Sequence, residues 1–124
     1  MTDLDDIRST IQNYFDGLYR GDVEAMQRAF HPCCHLYSEM DGGVQDESAP
    51  DWFRRIQNRA SPASQGAMRR DRIVFIDLNG PGSALVKVQV QAPSGRYSDY
   101  LSMLKLREGW RIVAKVFAPS DADD

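Results

Sequence analysis

The spacing of the apolar residues changes from a helical period to a strand period after Arg72. Before it, apolar residues recur three, four and seven positions apart, which is the spacing of one buried helix face. After it, apolar and polar residues alternate at 73–78, 84–92, 96–107 and 110–118, and turn-forming residues separate these four segments. Short connections make neighbouring strands antiparallel. Helices followed by such a meander predict the α+β class.

Three helices are predicted in the first part of the chain. The first ends at Gly21, and its apolar stripe is Leu4, Ile7, Ile11, Tyr14, Phe15 and Leu18. The second begins at an Asp22 cap, runs to about Phe30 and is closed by Pro32. The third begins at Ser48, and its apolar side is Trp52, Phe53, Ile56 and Ala60. Between the second and third helices we expect a short strand at 33–39 and a turn at 41–43.

The length of 124 residues fits one domain, which we predict at 1–118, followed by an acidic tail at 119–124. The net charge is −3, and three aspartates of the tail account for it. Because the rest of the chain is nearly neutral, we expect no surface for nucleic acid. No apolar run reaches the roughly 20 residues of a membrane span, and the acidic N-terminus does not resemble a signal peptide. We therefore expect a cytoplasmic protein that binds neither nucleic acid nor a membrane.

Residues 31–35 combine two histidines and two cysteines, which superficially resemble a metal site. Zinc sites place residues between paired cysteines, whereas Cys33 and Cys34 are adjacent, and in a strand they point to opposite faces. We therefore predict no metal site and no cofactor. A bond between adjacent cysteines would connect no distant parts of the chain, so we expect reduced thiols.

The last predicted strand, 110–118, is apolar on both faces. Alternation places Ile112, Ala114 and Val116 on one face, and Val113, Lys115 and Phe117 on the other. A strand with two apolar faces is covered on both, and the three helices supply one cover only. We expect a second copy of the chain to supply the other, which predicts a homodimer through the sheet.

The chain resembles the nuclear transport factor 2-like superfamily over nearly its whole length. The resembling helical residues are Tyr14, the run Gly21-Asp22-Val23-Glu24 and the run Phe30-His31-Pro32, and in the sheet they are 98–105 and 109–117. Within the superfamily, these residues are most similar to the group labelled "putative lumazine-binding", close to the polyketide-cyclase (SnoaL)-like set. The resemblance implies a cone-shaped, cystatin-like α+β fold, in which three N-terminal helices pack on a curved antiparallel sheet around a pocket.

The ketosteroid isomerases of this superfamily allow a comparison residue by residue. Their oxyanion tyrosine on the first helix falls on Tyr14, their general-base aspartate near Ser38 and their second oxyanion acid near Ser102. Serine supplies neither a carboxylate base nor a neutral carboxylic acid. The resemblance therefore does not imply steroid isomerase chemistry for this chain.

His31 and Asp99 are the candidate catalytic residues. By residue type, His31 is a natural general acid or base, but its position before Pro32 equally suits the capping of a helix end. Asp99 is a charge within an otherwise aromatic and apolar strand. Lys115 aligns with a position that lines the isomerase pocket, and two interpretations stay open for it. It is either a reactive amine or a structural lysine that reaches solvent or pairs with Asp99.

The candidate ligand-binding residues are Tyr14, Trp52, Phe53, Tyr100, Ser102, Lys115 and Phe117. Such residues suit an apolar pocket with a few polar contacts, although aromatic residues at this spacing also suit a plain core. We expect a protein that binds a lumazine-like or other small hydrophobic ligand. The alternatives are a lyase, isomerase or cyclase of the polyketide-cyclase type, and a non-catalytic dimerisation module.

Overall fold

The computed structural model describes residues 2–120, so part of the predicted tail, 121–124, lies outside the described residues. Within residues 2–120 the helices are α1 Asp3–Arg20, α2 Val23–Ala29 and α3 Ala49–Gln57, and a 3₁₀ turn covers Ala63–Gln65. The strands are β1 Phe30–Met40, β2 Gly43–Ser48, β3 Arg72–Asn79, β4 Ser83–Ala92, β5 Gly95–Leu106 and β6 Gly109–Pro119. The prediction of an α+β fold with three N-terminal helices is confirmed.

The strands form one sheet in the order β2-β1-β6-β5-β4-β3. Every neighbouring pair is antiparallel except β1 and β6, which are parallel. The meander β3 to β6 was predicted from its short turns. The parallel pair joins strands that are far apart in the sequence, so the turns contain no information about it.

Helix α1 follows from its capping residues and its apolar stripe. The Thr2 hydroxyl accepts a hydrogen bond from the Asp5 N–H, and the Asp5 carboxylate accepts one from the Thr2 N–H. The helix ends at Gly21, whose φ of 69° is left-handed. Leu4, predicted in the stripe, is exposed, and the buried side of the helix is Ile7, Thr10, Ile11, Tyr14, Phe15, Gly17 and Leu18.

The chain between α1 and α3 differs from the prediction at three points. Helix α2 ends at Ala29, and Pro32 lies inside β1, where it does not terminate a helix. The ladder between β1 and β6 is irregular from Phe30 to His35, and an irregular ladder tolerates a residue without an N–H. Strand β2 was not predicted, and its mostly polar, exposed residues form an edge strand after a two-residue turn at Asp41 and Gly42.

Helix α3 begins as predicted at Ser48, whose hydroxyl accepts a hydrogen bond from the Asp51 N–H. It ends at Gln57, so Ala60 lies beyond the helix and is exposed. The apolar sides of α1 and α3 meet over the inner face of the sheet, the face toward the helices. Edge-to-face ring contacts join Tyr14, Phe30, Trp52 and Phe53 there, with the Tyr14 and Phe30 centroids 5.0 Å apart.

A β-bulge in β6 corrects the predicted faces of that strand. Ser102 pairs with Ala114 and Met103 pairs with Ile112, so Val113 is an extra residue without an opposite partner. The bulge places Ile112 and Lys115 on the same inner face, although they are three residues apart. The prediction that they lie on opposite faces was wrong, because it assumed unbroken alternation.

The outer face of the sheet, turned away from the helices, carries exposed apolar side chains. Tyr100 is 44% exposed and Val116, its cross-strand partner, is 52% exposed, with Leu104 on the same strand as Tyr100. We call these three residues the outer patch. Within residues 2–120, no helix combines the length and the apolar content that crossing a membrane requires.

Candidate functional site

A cavity of about 240 Å³ lies between α1, α3 and the inner face of the sheet. Its apolar wall is formed by Leu18, Leu36, Trp52, Val90, Ala92 and Phe117. Its polar residues are Tyr14, Gln45, Arg55, Arg59, Ser94, Tyr97 and Lys115. Pockets for drug-sized ligands have volumes of roughly 300–1,000 Å³, so this cavity suits a smaller compound. It adjoins a wider groove of about 710 Å³ that shares Leu36, Gln45, Arg55 and Phe117.

Tyr14, Asp99 and Lys115 form a buried hydrogen-bonded triad at the inner end of this cavity. The Tyr14 hydroxyl donates to Asp99 Oδ2 at 2.5 Å, and Lys115 Nζ donates to Tyr14 Oη at 2.9 Å. Lys115 Nζ also lies 3.6 Å from Asp99 Oδ2. The residues come from α1, β5 and β6, and the last two are neighbouring strands. Tyr14 and Lys115 line the cavity, whereas Asp99 lies behind them.

Burial shifts the protonation of all three members of the triad. Tyr14 and Asp99 are fully buried and Lys115 is 5% exposed. Burial lowers the pKa of Lys115, and the nearby Asp99 carboxylate opposes that shift. Burial raises the pKa of Asp99, against the effect of Lys115, and raises the pKa of Tyr14 well above 10. The site therefore favours the neutral amine and the neutral carboxylic acid more than water does.

Asp99 has spare hydrogen-bonding capacity. Its Oδ2 atom takes part in the contacts with Tyr14 and Lys115, while Oδ1 is buried and has no hydrogen-bond partner within residues 2–120. An ionised carboxylate with one unsatisfied oxygen is costly in an apolar interior. The unsatisfied Oδ1 therefore agrees with the raised pKa of Asp99, because a protonated carboxyl carries less charge to solvate.

Three aromatic rings surround the Lys115 amine. Its Nζ lies 4.1 Å from the Trp52 ring centroid and 5.1 Å from those of Tyr14 and Phe117. Such rings stabilise the ammonium form by cation–π attraction, and they exclude water from the amine. Cys34 is also buried near this end of the site, and burial raises the pKa of its thiol to about 12. The Cys34 thiol is therefore protonated and unreactive near neutral pH.

The polar residues at the mouth of the cavity include two arginines with different surroundings. Arg55 donates two hydrogen bonds to Glu47, at 2.7 and 2.6 Å. Arg59, just beyond α3, is half-buried and makes no hydrogen bond or ion pair within residues 2–120. Ser94 and Tyr97 share a hydrogen bond of 2.7 Å between their hydroxyls.

Five of the predicted site residues come together at this location. Tyr14, Trp52, Lys115 and Phe117 line the cavity, and Asp99 contacts two of them. Both open interpretations of Lys115 therefore have a structural basis, since it pairs with Asp99 and also borders the cavity. The part that these residues play in binding or catalysis stays a prediction.

The other predicted site residues lie elsewhere. Tyr100 and Ser102 alternate with inward-facing Asp99, Leu101 and Met103, so they point to the outer face and away from the cavity. Phe53 packs in the core and borders a separate apolar groove on the far side of α3. His31 lines neither the cavity nor the adjoining groove, and its Nδ1 accepts a hydrogen bond from the Cys33 N–H. These four residues do not form one site with the triad.

The histidines and cysteines of 31–35 are spread over two faces of β1. Cys33 is exposed and Cys34 is buried, while His35 Nδ1 lies 2.6 Å from Asp46 Oδ1 across the β1–β2 pair. Within residues 2–120, no three His, Cys, Asp or Glu side chains are grouped in a way that could hold a metal ion.

Arg59, Arg55 and Gln45 line the cavity, although no sequence pattern predicted them as site residues. Gln45 lies on the edge strand β2, which was itself missed, so no pattern pointed to it. Arg55 lies in the last turn of α3 and Arg59 lies just beyond the helix. Basic residues near the C-terminal end of a helix ordinarily interact with the helix dipole. Their position at a cavity depends on how α3 packs against the sheet.

Comparisons with known proteins agree with this architecture. The family model described as "Putative lumazine-binding" matches residues 2–118. The chain is 27% identical over 118 residues to the aldolase FrzH of Cladobotryum sp., a match that covers 94% of this chain and 90% of that protein.

Solved structures similar to this chain share its fold. One is an NTF2-like protein of unknown function from Silicibacter pomeroyi, with a TM-score of 0.79 and 23% identity over 95% of this chain and 98% of that one. Another, also NTF2-like and of unknown function, comes from Shewanella baltica, with a TM-score of 0.81 and 21% identity over 96% and 94% of the two chains. A cystatin-like domain from Nostoc punctiforme has a TM-score of 0.74 and 16% identity, covering 98% and 79%.

Proposed function

This chain belongs to the "Putative lumazine-binding" family of NTF2-like proteins, and we propose that its cavity binds a small carbonyl compound that reacts with the Lys115 amine. The reaction class that we propose is the making or breaking of a carbon–carbon bond beside a carbonyl group, as in an aldol or retro-aldol reaction. A relative that is itself named an aldolase supports this class.

One observation carries the proposal. Lys115 Nζ borders a cavity of about 240 Å³, is surrounded by aromatic rings and lies 2.9 Å from the Tyr14 hydroxyl. Burial lowers the pKa of Lys115, which increases the fraction of the nucleophilic neutral amine. Titratable groups with opposite shifts in one cavity are typical of catalytic sites. A lysine with a purely structural role would not need access to a cavity.

In the proposed reaction, the neutral Lys115 amine attacks the carbonyl carbon of the substrate. The carbonyl oxygen leaves as water, after it takes one proton from the amine and one from Asp99 by way of the Tyr14 hydroxyl. The product is a protonated imine, for which the Asp99 carboxylate is the counterion. In the retro-aldol direction, the Asp99 carboxylate accepts the proton of the β-hydroxyl by way of the Tyr14 hydroxyl, the bond between the α- and β-carbons breaks, and the β-carbon leaves as a carbonyl product. The electron pair of the broken bond moves into the imine to give an enamine, and the α-carbon of the enamine takes the proton back from Asp99. Water then hydrolyses the protonated imine, which releases the second carbonyl product and the free amine and returns a proton to Asp99.

Reversible binding of a lumazine-like heterocycle is the second candidate function. The rings of Trp52, Tyr97 and Phe117 at the cavity wall favour it, because aromatic walls suit a flat ligand. A ligandless dimerisation module is less well supported. A water molecule takes about 30 Å³ of liquid volume, so the cavity is larger than the space that a few waters fill.

The proposal also includes a homodimer and a cytoplasmic location. The outer patch supports the homodimer, because exposed apolar residues on a sheet face are typical of a subunit interface. Free Cys33 and Cys34 agree with a reducing compartment.

Borohydride trapping tests the reactive lysine. The protein is mixed with a simple aldehyde or ketone, reduced with sodium borohydride, and mapped by peptide mass spectrometry. We expect an adduct on Lys115 in preference to Lys87 and Lys105, the other lysines of the chain. Lys115→Met is the matched control, because it keeps an apolar stem of similar length, and it should show no adduct at this position. Adducts confined to Lys87 and Lys105, or absent everywhere, would contradict the proposal.

A further inference from the structure

Arg59 has no ion pair among the described residues, in contrast to three other arginines of the chain. Arg54 pairs with Asp51, Arg55 with Glu47, and Arg69 with both Asp16 and Asp71. Arg59 borders the cavity without a hydrogen bond or an ion pair within residues 2–120. A guanidinium carries five N–H donors in a fixed planar arrangement, and a half-buried one with no acceptor loses part of its solvation.

The charge balance of the cavity is positive. Among the described residues that line it, Arg55, Arg59 and Lys115 are basic and none is Asp or Glu. Glu47 neutralises Arg55 from outside the cavity, and Asp99 is in contact with Lys115 from behind it. Arg59 itself has no direct ion pair among the described residues, because the nearby Glu47 carboxylate is bonded to Arg55 and acts on Arg59 only from beyond ion-pair distance. The Arg59 charge also acts on the triad, since it helps to lower the pKa of Lys115.

We infer that the cavity binds the carboxylate group of its ligand and that the Arg59 guanidinium is the residue that recognises it. A carboxylate matches the planar donor pair of a guanidinium and would supply the missing acceptor. The Ser94 and Tyr97 hydroxyls and the Gln45 amide border the same cavity and can complete the hydrogen bonds of the anion. A ligand with a carboxylate for Arg59 and a carbonyl group for Lys115 is a small oxo acid. This assignment of the substrate class rests on the proposed carbonyl chemistry at Lys115.

A planar carboxylate is favoured over a phosphate group. A phosphate group has three terminal oxygens and a higher charge than a carboxylate, and its recognition usually requires several basic groups, whereas this cavity offers one guanidinium without a partner among the described residues. The volume of about 240 Å³ limits the ligand to a small compound, which agrees with a small oxo acid.

Calorimetric titration with benzoate and its neutral isostere benzamide tests the carboxylate site without any reaction at Lys115. We expect wild-type protein to bind benzoate more tightly than benzamide. Arg59→Gln should weaken benzoate binding roughly tenfold or more, because it removes a charge-assisted hydrogen bond, and should leave benzamide binding within about twofold. Arg54→Gln on the exposed side of α3 makes the same change of charge and should leave benzoate binding unchanged.

Three results would overturn the inference. Equal affinity for benzoate and benzamide, or no benzoate binding up to the solubility limit of the sodium salt, shows that the cavity does not select a carboxylate. An equal loss of benzoate binding in Arg54→Gln and Arg59→Gln shows a general effect of net charge. Inorganic phosphate that binds more tightly than benzoate in an Arg59-dependent manner shows a phosphate site instead.

Thermal denaturation separates recognition from a structural role. Because Arg59 has no partner within residues 2–120, Arg59→Gln should leave the Tm of the free protein unchanged or slightly higher. Benzoate should raise the Tm of wild-type protein and not that of Arg59→Gln. A lower Tm for free Arg59→Gln would show that Arg59 stabilises the fold, and it would overturn the assignment.

Borohydride trapping with pyruvate and acetone distinguishes this inference from the proposed function. If neither compound forms an adduct at Lys115 and benzoate still binds through Arg59, the carbonyl chemistry is wrong and the carboxylate site stands. If both compounds form adducts equally well in wild-type protein and in Arg59→Gln, the reactive lysine stands and the carboxylate site is wrong. Preferential trapping of pyruvate that is lost in Arg59→Gln supports both.

Discussion

Tyr14 and Asp99 are 85 residues apart in the sequence, yet the Tyr14 hydroxyl donates a hydrogen bond of 2.5 Å to the Asp99 carboxyl in the protein interior. This contact connects the first helix to β5 at the cavity. It also brings the pair within reach of Lys115, whose Nζ donates to the same tyrosine oxygen. The proposed chemistry and the stability of the fold therefore involve the same three residues.

The reactivity of Lys115 should depend on pH in a characteristic way. Burial lowers the pKa of this amine below its ordinary value of 10.5, and the Asp99 charge partly opposes the shift. We expect modification of Lys115 by formaldehyde and borohydride to increase with pH through a midpoint below 10.5. Asp99→Asn removes the opposing charge, so the midpoint should move to a still lower pH. Peptide mass spectrometry across a pH series measures both midpoints.

Lys105 is the internal control for that titration. It is exposed and bonded to Asp3, and this hydrogen bond raises the pKa of Lys105 above 10.5. We therefore expect Lys115 to react at lower pH than Lys105 in the same sample. The pKa of Lys115 is lower in the native state than in the unfolded chain. At a pH between these two pKa values, the unfolded chain binds more protons at Lys115 than the native state does. The contribution of Lys115 to the free energy of unfolding should therefore increase with pH in that window. The reverse order of modification would contradict the shift.

Tyr14→Phe should destabilise the protein because it removes the hydroxyl that bridges Asp99 and Lys115. The loss of a buried partner leaves polar atoms unsatisfied, and we expect a decrease of about 1–3 kcal/mol in the free energy of unfolding, measured with urea. Tyr19→Phe is the control, since the Tyr19 hydroxyl donates one hydrogen bond to the Ala67 carbonyl at the partly buried surface. It should cost about 1 kcal/mol or less. An equal decrease in the free energy of unfolding in the two variants would show that the triad stabilises the protein no more than an ordinary hydrogen bond does.

Gly17→Ala should destabilise the contact between α1 and α2. A Cβ at Gly17 would lie 2.7 Å from Met26 Cγ and Sδ and 2.9 Å from the Asp22 carbonyl oxygen, so the two helices would have to move apart. We expect a loss of about 1–3 kcal/mol by chemical denaturation. Gly82→Ala is the matched control because a Cβ there meets nothing within 4 Å. Its unfolding should differ little from wild type, and a larger loss in Gly82→Ala than in Gly17→Ala would contradict the close approach.

The proposed homodimer should be visible by native mass spectrometry of the freshly purified protein. We expect a dimer for wild type and a monomer for Val116→Lys, because a lysine in the outer patch places a charge in the proposed interface. Val44→Lys introduces the same charge at a position that is 79% exposed on the edge strand β2, and it should remain dimeric. A monomeric wild type, or the same effect for both lysines, would show that the outer patch is not the interface.

The amphipathic helices and the meander could be predicted because they depend on contacts between residues close in sequence. The structure contains each element that such local patterns predict. The patterns are the apolar stripe of α1, the helix caps at Asp22 and Ser48, and the alternation of apolar and polar residues along β4. The exposed strand β2 was missed because it has no buried face to produce alternation, although its Asp41-Gly42 turn is a typical hairpin sequence. Helix ends differed by a few residues, since terminal turns depend on local caps and on packing.

The sequence by itself determined the fold class and the three residues of the triad, because family resemblance and hydrophobic period both point to inward-facing positions. Only the tertiary structure decided which of those positions meet. The bulge at Val113 moved Ile112 to the inner face that Lys115 and Phe117 share. On β5, alternation with the inward-facing Asp99, Leu101 and Met103 leaves Tyr100 and Ser102 on the outer face. Alternation is a local property, whereas a bulge is determined by how two strands pair. For the same reason, the exposure of Arg59 to the cavity follows from the packing of α3 and from no pattern in the sequence.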